Sequence, residues 1–122
     1  MTAMEIGKKL VEYCNAGKND HAIEALYAQD VVSIEAGAPP GQSREAKGLQ
    51  AVLGKSKWWA ENHTVHSAKH DGPWPHDDRF IVRFTYDVTL KTAGKRFTMD
   101  EVGLFTVKDG KIVREEFFYS MG

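Results

Sequence analysis

Apolar residues at Ile6, Leu10, Val11 and Cys14 recur at about the 3.6-residue period of an amphipathic helix, and Thr2 with Glu5 supplies a capping box in front of them. Ala16-Gly17-Lys18-Asn19 ends that helix, and Asp20 is placed to cap a short second one with Ile23, Leu26 and Tyr27 on its apolar face. Val31 to Glu35 is brief and β-branched, which reads as a strand. The segment from Ala36 to Arg44, with Gly37, Pro39, Pro40 and Gly41, reads as a loop. Gly48 opens a third amphipathic stretch, in which Leu49, Val52, Leu53, Ser56 and Trp59 form the stripe and Lys55 and Glu61 are expected opposite it, ending near Asn62.

Beyond Asn62 the period changes to two. Asn62 to Asp71 is a weakly patterned strand, followed by Gly72-Pro73-Trp74-Pro75 as a hairpin loop. Phe80 to Thr89 is the clearest strand: Phe80, Val82, Phe84, Tyr86 and Val88 share one face, and Arg83, Thr85, Asp87 and Thr89 share the other. Turns at Thr92 to Lys95 and Lys108 to Lys111 separate strands over Arg96 to Val107 and Ile112 to Tyr119. The predicted order is α-α-β-α-β-β-β-β, which implies an α+β fold with three helices packed on a bent antiparallel sheet. A chain of 122 residues without linker, repeat or low-complexity tract is expected to be a single domain spanning residues 1–122.

Charge narrows the choice of partner. A formal net charge of −1 without a basic run gives neither the field nor the patch that nucleic acid or an anionic membrane surface needs, so neither partner is expected. No apolar run approaches the roughly 20 residues of a membrane span, and Met1 to Leu10 lacks a signal-peptide core; the expected location is cytoplasmic. Cys14 is the single cysteine, so no internal disulfide is available, and its place on a helix face reads as a buried thiol. A phosphate-binding glycine loop, a nucleophile elbow and a Cys-x-x-Cys pair are all missing, so no cofactor is expected.

Ala22 to Glu35, with a tyrosine closing the second helix and a hydrophobic strand just after it, resembles the helix-to-first-strand segment of ketosteroid isomerases and SnoaL-like cyclases. Phe105 to Glu116 is similar to the last hairpin of the same nuclear transport factor 2-like superfamily. The resemblance covers nearly the whole chain and implies a cone-shaped fold with a pocket open at one end. It also implies a homodimer formed through the outer sheet face, where Val102, Leu104 and Phe118 stand among Arg83, Thr85, Asp87, Asp100, Arg114 and Glu116. The expected pocket lining is Tyr13, Tyr27, Trp59, His66, Phe80, Phe84, Tyr86, Met99, Glu115, Phe117 and Tyr119.

In the ketosteroid isomerases the general base is a carboxylate eight residues after the helix-ending tyrosine, and counting from Tyr27 reaches Glu35. Partial desolvation by aromatic neighbours would make it a proton acceptor near neutral pH; the alternative is a strand-ending glutamate in solvent. The isomerases' oxyanion donors have no match: Gly103 stands where their aspartic acid would, and Lys9 or Leu10 near their tyrosine, with Tyr13 a turn away, so steroid isomerisation is not expected. By alternation Glu101 travels with Phe97, Met99, Gly103 and Phe105, and Glu115 with Val113, Phe117 and Tyr119, so both acids are expected inside. They are read either as part of an acid–base cluster, with Arg96, His63, His66 or Tyr119 as partners, or as core acids hydrogen-bonded to Trp58, Trp59 or a tyrosine.

His63 and His66 alternate faces on a strand, while His66 and His70 lie roughly 13 Å apart at about 3.3 Å per residue, so no metal site is expected and one histidine facing the pocket is the better reading. Trp58, Trp59 and Trp74 serve core or rim. The leading functional reading is a cofactor-independent acid–base enzyme (isomerase, cyclase or dehydratase) acting on a small, largely apolar molecule, with Glu35 as base and His63 or Glu101 assisting. The alternatives are a non-catalytic dimer that holds a small hydrophobic ligand, and an interaction module using the sheet face.

Overall fold

The computed structural model of the protein describes residues 1–120. Its order is α1 (Ala3–Asn15), α2 (Asn19–Leu26), β1 (Tyr27–Ile34), β2 (Glu45–Lys47), α3 (Leu49–Asn62), β3 (His63–His76), β4 (Arg79–Leu90), β5 (Lys95–Lys108) and β6 (Lys111–Phe118). The strands form one sheet in the order β2-β1-β6-β5-β4-β3. The three helices pack on its inner face, as expected.

The capping box forms: the Thr2 hydroxyl accepts from the Glu5 backbone N–H at 3.2 Å, and Glu5 Oε1 accepts from the Thr2 N–H at 3.1 Å. α1 buries Ile6, Gly7, Leu10 and Cys14. The second helix starts differently from expectation. Lys18 occupies its N-cap without a side-chain bond, and the Asp20 carboxylate accepts from Ser56 Oγ at 2.8 Å, tying α2 to α3.

Pairing corrects four strand readings. The three-residue β2 was not foreseen, because it is too short to show alternation and exists only by pairing with β1, Val32 opposite Lys47. The sheet is mixed, since β1 runs parallel to β6 and the remaining pairs are antiparallel; a strand's own pattern does not reveal its neighbour's direction. Gly72-Pro73-Trp74-Pro75 lies inside β3, at a register shift between Asp71 and Trp74, and the chain turns instead at Asp77-Asp78, with Asp77 at φ 54°. As an edge strand, β3 tolerates prolines that a central strand would reject. In β6 the register shifts opposite Thr106 and Val107, so Ile112 rather than Val113 is fully buried on the inner face with Glu115.

β4 behaves as its alternation predicts, burying Phe80, Val82, Phe84, Tyr86 and Val88. Phe80 stacks on Phe105 with ring centroids 5.0 Å apart. On the outer face Arg83 makes a two-pronged pair with Asp100 (2.9 and 2.7 Å) and Arg96 with Asp87 (3.0 and 2.7 Å). Arg96 therefore partners neither inner glutamate.

Candidate active-site cavity

Between the helices and the inner face of the sheet lies a cavity of about 150 Å³. Its walls are apolar and aromatic, with Leu10, Ile23, Val52, Trp59, Phe84, Phe105 and Phe117 among them. Polar groups enter from four directions: Glu35 just past β1, Lys55 from α3, Glu101 from β5 and Glu115 from β6.

Two of the three carboxylates are engaged. Lys55 Nζ donates to Glu35 Oε1 at 2.7 Å and to Ser33 Oγ at 2.5 Å, while the Tyr119 hydroxyl donates to Glu35 Oε2 at 2.9 Å. Glu115, only 3% exposed, accepts from the Tyr27 hydroxyl at 2.5 Å, with Ser33 as a second donor. A chain of contacts thus runs Tyr27, Glu115, Ser33, Lys55, Glu35, Tyr119. Burial raises the Glu115 pKa, with the Glu35 charge adding to the rise, against the pull of Lys55 and of its two hydroxyl donors. The Tyr27 hydroxyl is held well above its ordinary range, first by burial and then by the facing Glu115.

Glu101 differs from both. It has no hydrogen-bond partner among the described residues, and its pKa is pushed up to about 7, first by loss of hydration and then by repulsion from Glu35 and Glu115, with Lys55 opposing. A carboxyl half-ionised near neutral pH and facing an apolar cavity can both take and return a proton.

Of the residues singled out from the sequence, Glu35, Glu101, Tyr27, Trp59, Phe84, Tyr86, Glu115 and Phe117 line the cavity. Tyr119 joins through Glu35. The remaining expected residues stand elsewhere. His63 is outside the lining: its ring stacks on Trp59 at 4.4 Å, and its Nδ1 bonds the Trp59 carbonyl at 2.8 Å. His66 is exposed and bonded to Thr89 Oγ1 at 2.7 Å. Phe80 lies in the core behind Phe105, Met99 packs at the core's margin, and Tyr13 borders a separate surface depression with Lys9, Glu12 and Lys18. Neither Trp58, which is exposed, nor Trp59 bonds a glutamate.

Sequence reasoning missed Lys55, though the signal was there. It stands three residues after Val52 and four before Trp59, on the same helical stripe, and its charge alone assigned it to solvent. His70 was also missed as a supporting group. Its Nδ1 bonds Asn15 Oδ1 at 2.8 Å and its Nε2 bonds the hydroxyl of cavity-lining Tyr86 at 2.9 Å; burial lowers its pKa. Cys14 lines the cavity with its thiol pushed up to about 12, chiefly by burial, which makes it a poor nucleophile at neutral pH.

A family model described as a SnoaL-like domain matches residues 1–119. Among curated proteins none matches the chain. A solved structure from Mesorhizobium loti, provisionally named a SnoaL-like polyketide cyclase with carbohydrate phosphatase added in brackets, is 46% identical, with a TM-score of 0.91 over 98% of this chain and 100% of its own. A Bacillus subtilis protein provisionally named an isomerase is 19% identical, with a TM-score of 0.79 over 98% of this chain and 90% of its own. A Pseudomonas putida protein provisionally named a polyketide cyclase is 18% identical, with a TM-score of 0.73 over 99% and 93%. At those identities the last two are alike in fold alone.

Proposed function

Since the chain belongs to the family of SnoaL-like domains, we propose that its cavity binds a small, largely apolar molecule and moves a proton on it without a cofactor, with Glu101 as the acid–base group and Glu35 beside it. The observation that carries this reading is the Glu101 carboxyl, without a hydrogen-bond partner among the described residues and facing an aromatic cavity, with its pKa raised to about 7. Glu35 is committed to Lys55 and Tyr119, and its place is to set the field around Glu101. The cyclase name of the Mesorhizobium loti relative supports proton-transfer chemistry of the isomerase or aldol type. Its bracketed phosphatase name fits this cavity poorly, because three carboxylates against one lysine would repel a phosphate ester.

The test is a comparison of wild type with Glu101→Gln across a panel of small ketones and aldehydes, following exchange of carbon-bound protons in D2O by NMR. Exchange that disappears in the variant while the cavity still takes up the same compounds supports the reading. Retained uptake with no exchange in either protein would instead leave a non-catalytic binding pocket.

A further inference from the structure

Among the described residues Lys55 is the one cation lining the cavity, and it is well placed to donate. An ammonium has three N–H donors. Two are spent on Ser33 Oγ at 2.5 Å and Glu35 Oε1 at 2.7 Å, and Glu35 is itself pinned by the Tyr119 hydroxyl at 2.9 Å. The third has no acceptor among the described residues, and the Phe117 ring, 5.3 Å from Nζ, supplies a wall for it. The ammonium is thereby held by two acceptors before any ligand arrives, which is the preorganisation that stabilises a developing oxyanion.

The place used by the ketosteroid isomerases for a donor is closed in this chain. At Gly103 an added Cβ would lie 2.8 Å from the Phe105 ring and 3.1 Å from the Phe117 ring, so those aromatics occupy the space an acidic side chain would need. With that place closed, the charged donor facing the cavity is Lys55, which comes from α3.

We propose that Lys55 is a catalytic residue that receives the substrate oxygen, and that the substrate is an uncharged ketone or aldehyde carrying an enolisable α C–H. The inference rests on the acid–base reading of Glu101 given above. In the step, the Glu101 carboxylate takes the α proton, the C–H pair becomes the C=C bond, and the carbonyl π pair moves onto oxygen, facing the free N–H of Lys55. Return of the proton from Glu101 to carbon completes the turnover. One negative charge passes from Glu101 to the oxygen beside Lys55, so the cavity's total charge does not change. A neutral substrate suits that balance, whereas an anionic one would add charge to a space holding three carboxyl groups. Size also points to a small molecule: a dry cavity of roughly 150 Å³ takes a benzene-sized ring, and this one is about 150 Å³.

4-Nitrophenol mimics the enolate, and its visible absorbance reports ionisation of the bound dye. Wild type should bind it and favour the phenolate by about tenfold over Lys55→Met, with Lys55→Arg restoring part of the effect. Equal ionisation of bound dye in wild type and Lys55→Met overturns the inference, as does a wild type that binds no dye. Proton exchange of cyclohexanone in D2O separates the two ideas. Loss of about 100-fold in kcat in Lys55→Met with little change in KM supports Lys55 as oxyanion donor; a wild-type rate in Lys55→Met overturns it while Glu101 stands. A dye shift with no exchange in wild type leaves Lys55 as an anion-binding group only and overturns its catalytic role together with the Glu101 reading. If Lys55→Met fails to fold, Lys55→Arg and Lys55→Gln carry the same measurements.

Discussion

Glu101 and Glu115 point to the same side of the sheet, yet only Glu115 has hydroxyl donors. That difference separates an acid engaged in the core from the one proposed above to move a proton. Removing the Tyr27 hydroxyl, as Tyr27→Phe, leaves a buried carboxyl short of a partner; unfolding in urea should show a loss of about 1–3 kcal/mol. Glu101 should behave in the opposite sense. Its folded pKa of about 7 lies above the ordinary glutamate value of 4.5, so the folded state holds its proton more tightly, and the stability this contributes is full below pH 4.5 and lost as pH rises through about 7. Glu101→Gln should therefore melt higher than wild type at pH 8, by about 1–2 kcal/mol after discount for partial exposure, and the gap should close near pH 4. A constant gap across that range would assign the effect to packing. The inward aim of both acids was legible from strand alternation, because parity holds along β5 through Glu101 and the β6 irregularity falls before Glu115. Lys55 was not legible in the same way: its spacing marked it as inward, and its charge argued against a burial that only Glu35 and Ser33 make tolerable.

Among the elements, the helices were the most readable, since each carries its period over two turns or more and α1 carries its capping box besides. Strand β4 was equally clear. The errors gathered where an element depends on a partner: β2 is held by β1, the proline-containing stretch of β3 by its edge position, and the Ile112 register by a bulge that composition does not announce. The α1–β3 contact shows how closely such parts fit. A Cβ on Gly7 would lie 2.9 Å from Pro73 Cβ and 3.0 Å from the Phe80 ring, and neither a proline ring nor a fully buried phenylalanine can give way easily. Gly7→Ala, normally favourable inside a helix, should instead destabilise by about 1–3 kcal/mol in chemical denaturation. A gain in stability would mean that α1 is free to slide away from β3.

At the scale of the whole molecule, the two faces of the sheet differ in what they leave unfinished. The inner face closes on helices and cavity. The outer face carries an apolar band across four strands: Trp74 pairs with Ile81, Ile81 with Leu104, and Val102, next to Leu104 on that face, with Phe118. Trp74 is 51% exposed and Phe118 50%, more than scattered surface apolar residues would explain. The Arg83–Asp100 pair borders this band and the Arg96–Asp87 pair lies further along the same face, and charge pairs satisfied within one chain can be covered without leaving a lone charge buried. We expect two copies to meet here about a two-fold axis, since a self-complementary patch is what a closed dimer requires. Light scattering should then give twice the chain mass at micromolar concentration, and Val102→Asp combined with Phe118→Asp should give a folded monomer. The cavity lies on the opposite side of the sheet, so the monomer should still bind 4-nitrophenol within about threefold of wild type, an energy of under 1 kcal/mol. A wild type that runs as a monomer would sink the dimer and return the sheet face to a different protein partner; a monomeric variant that loses the dye would mean that the sheet's curvature, and with it the spacing of Glu101 from Lys55, depends on the second copy.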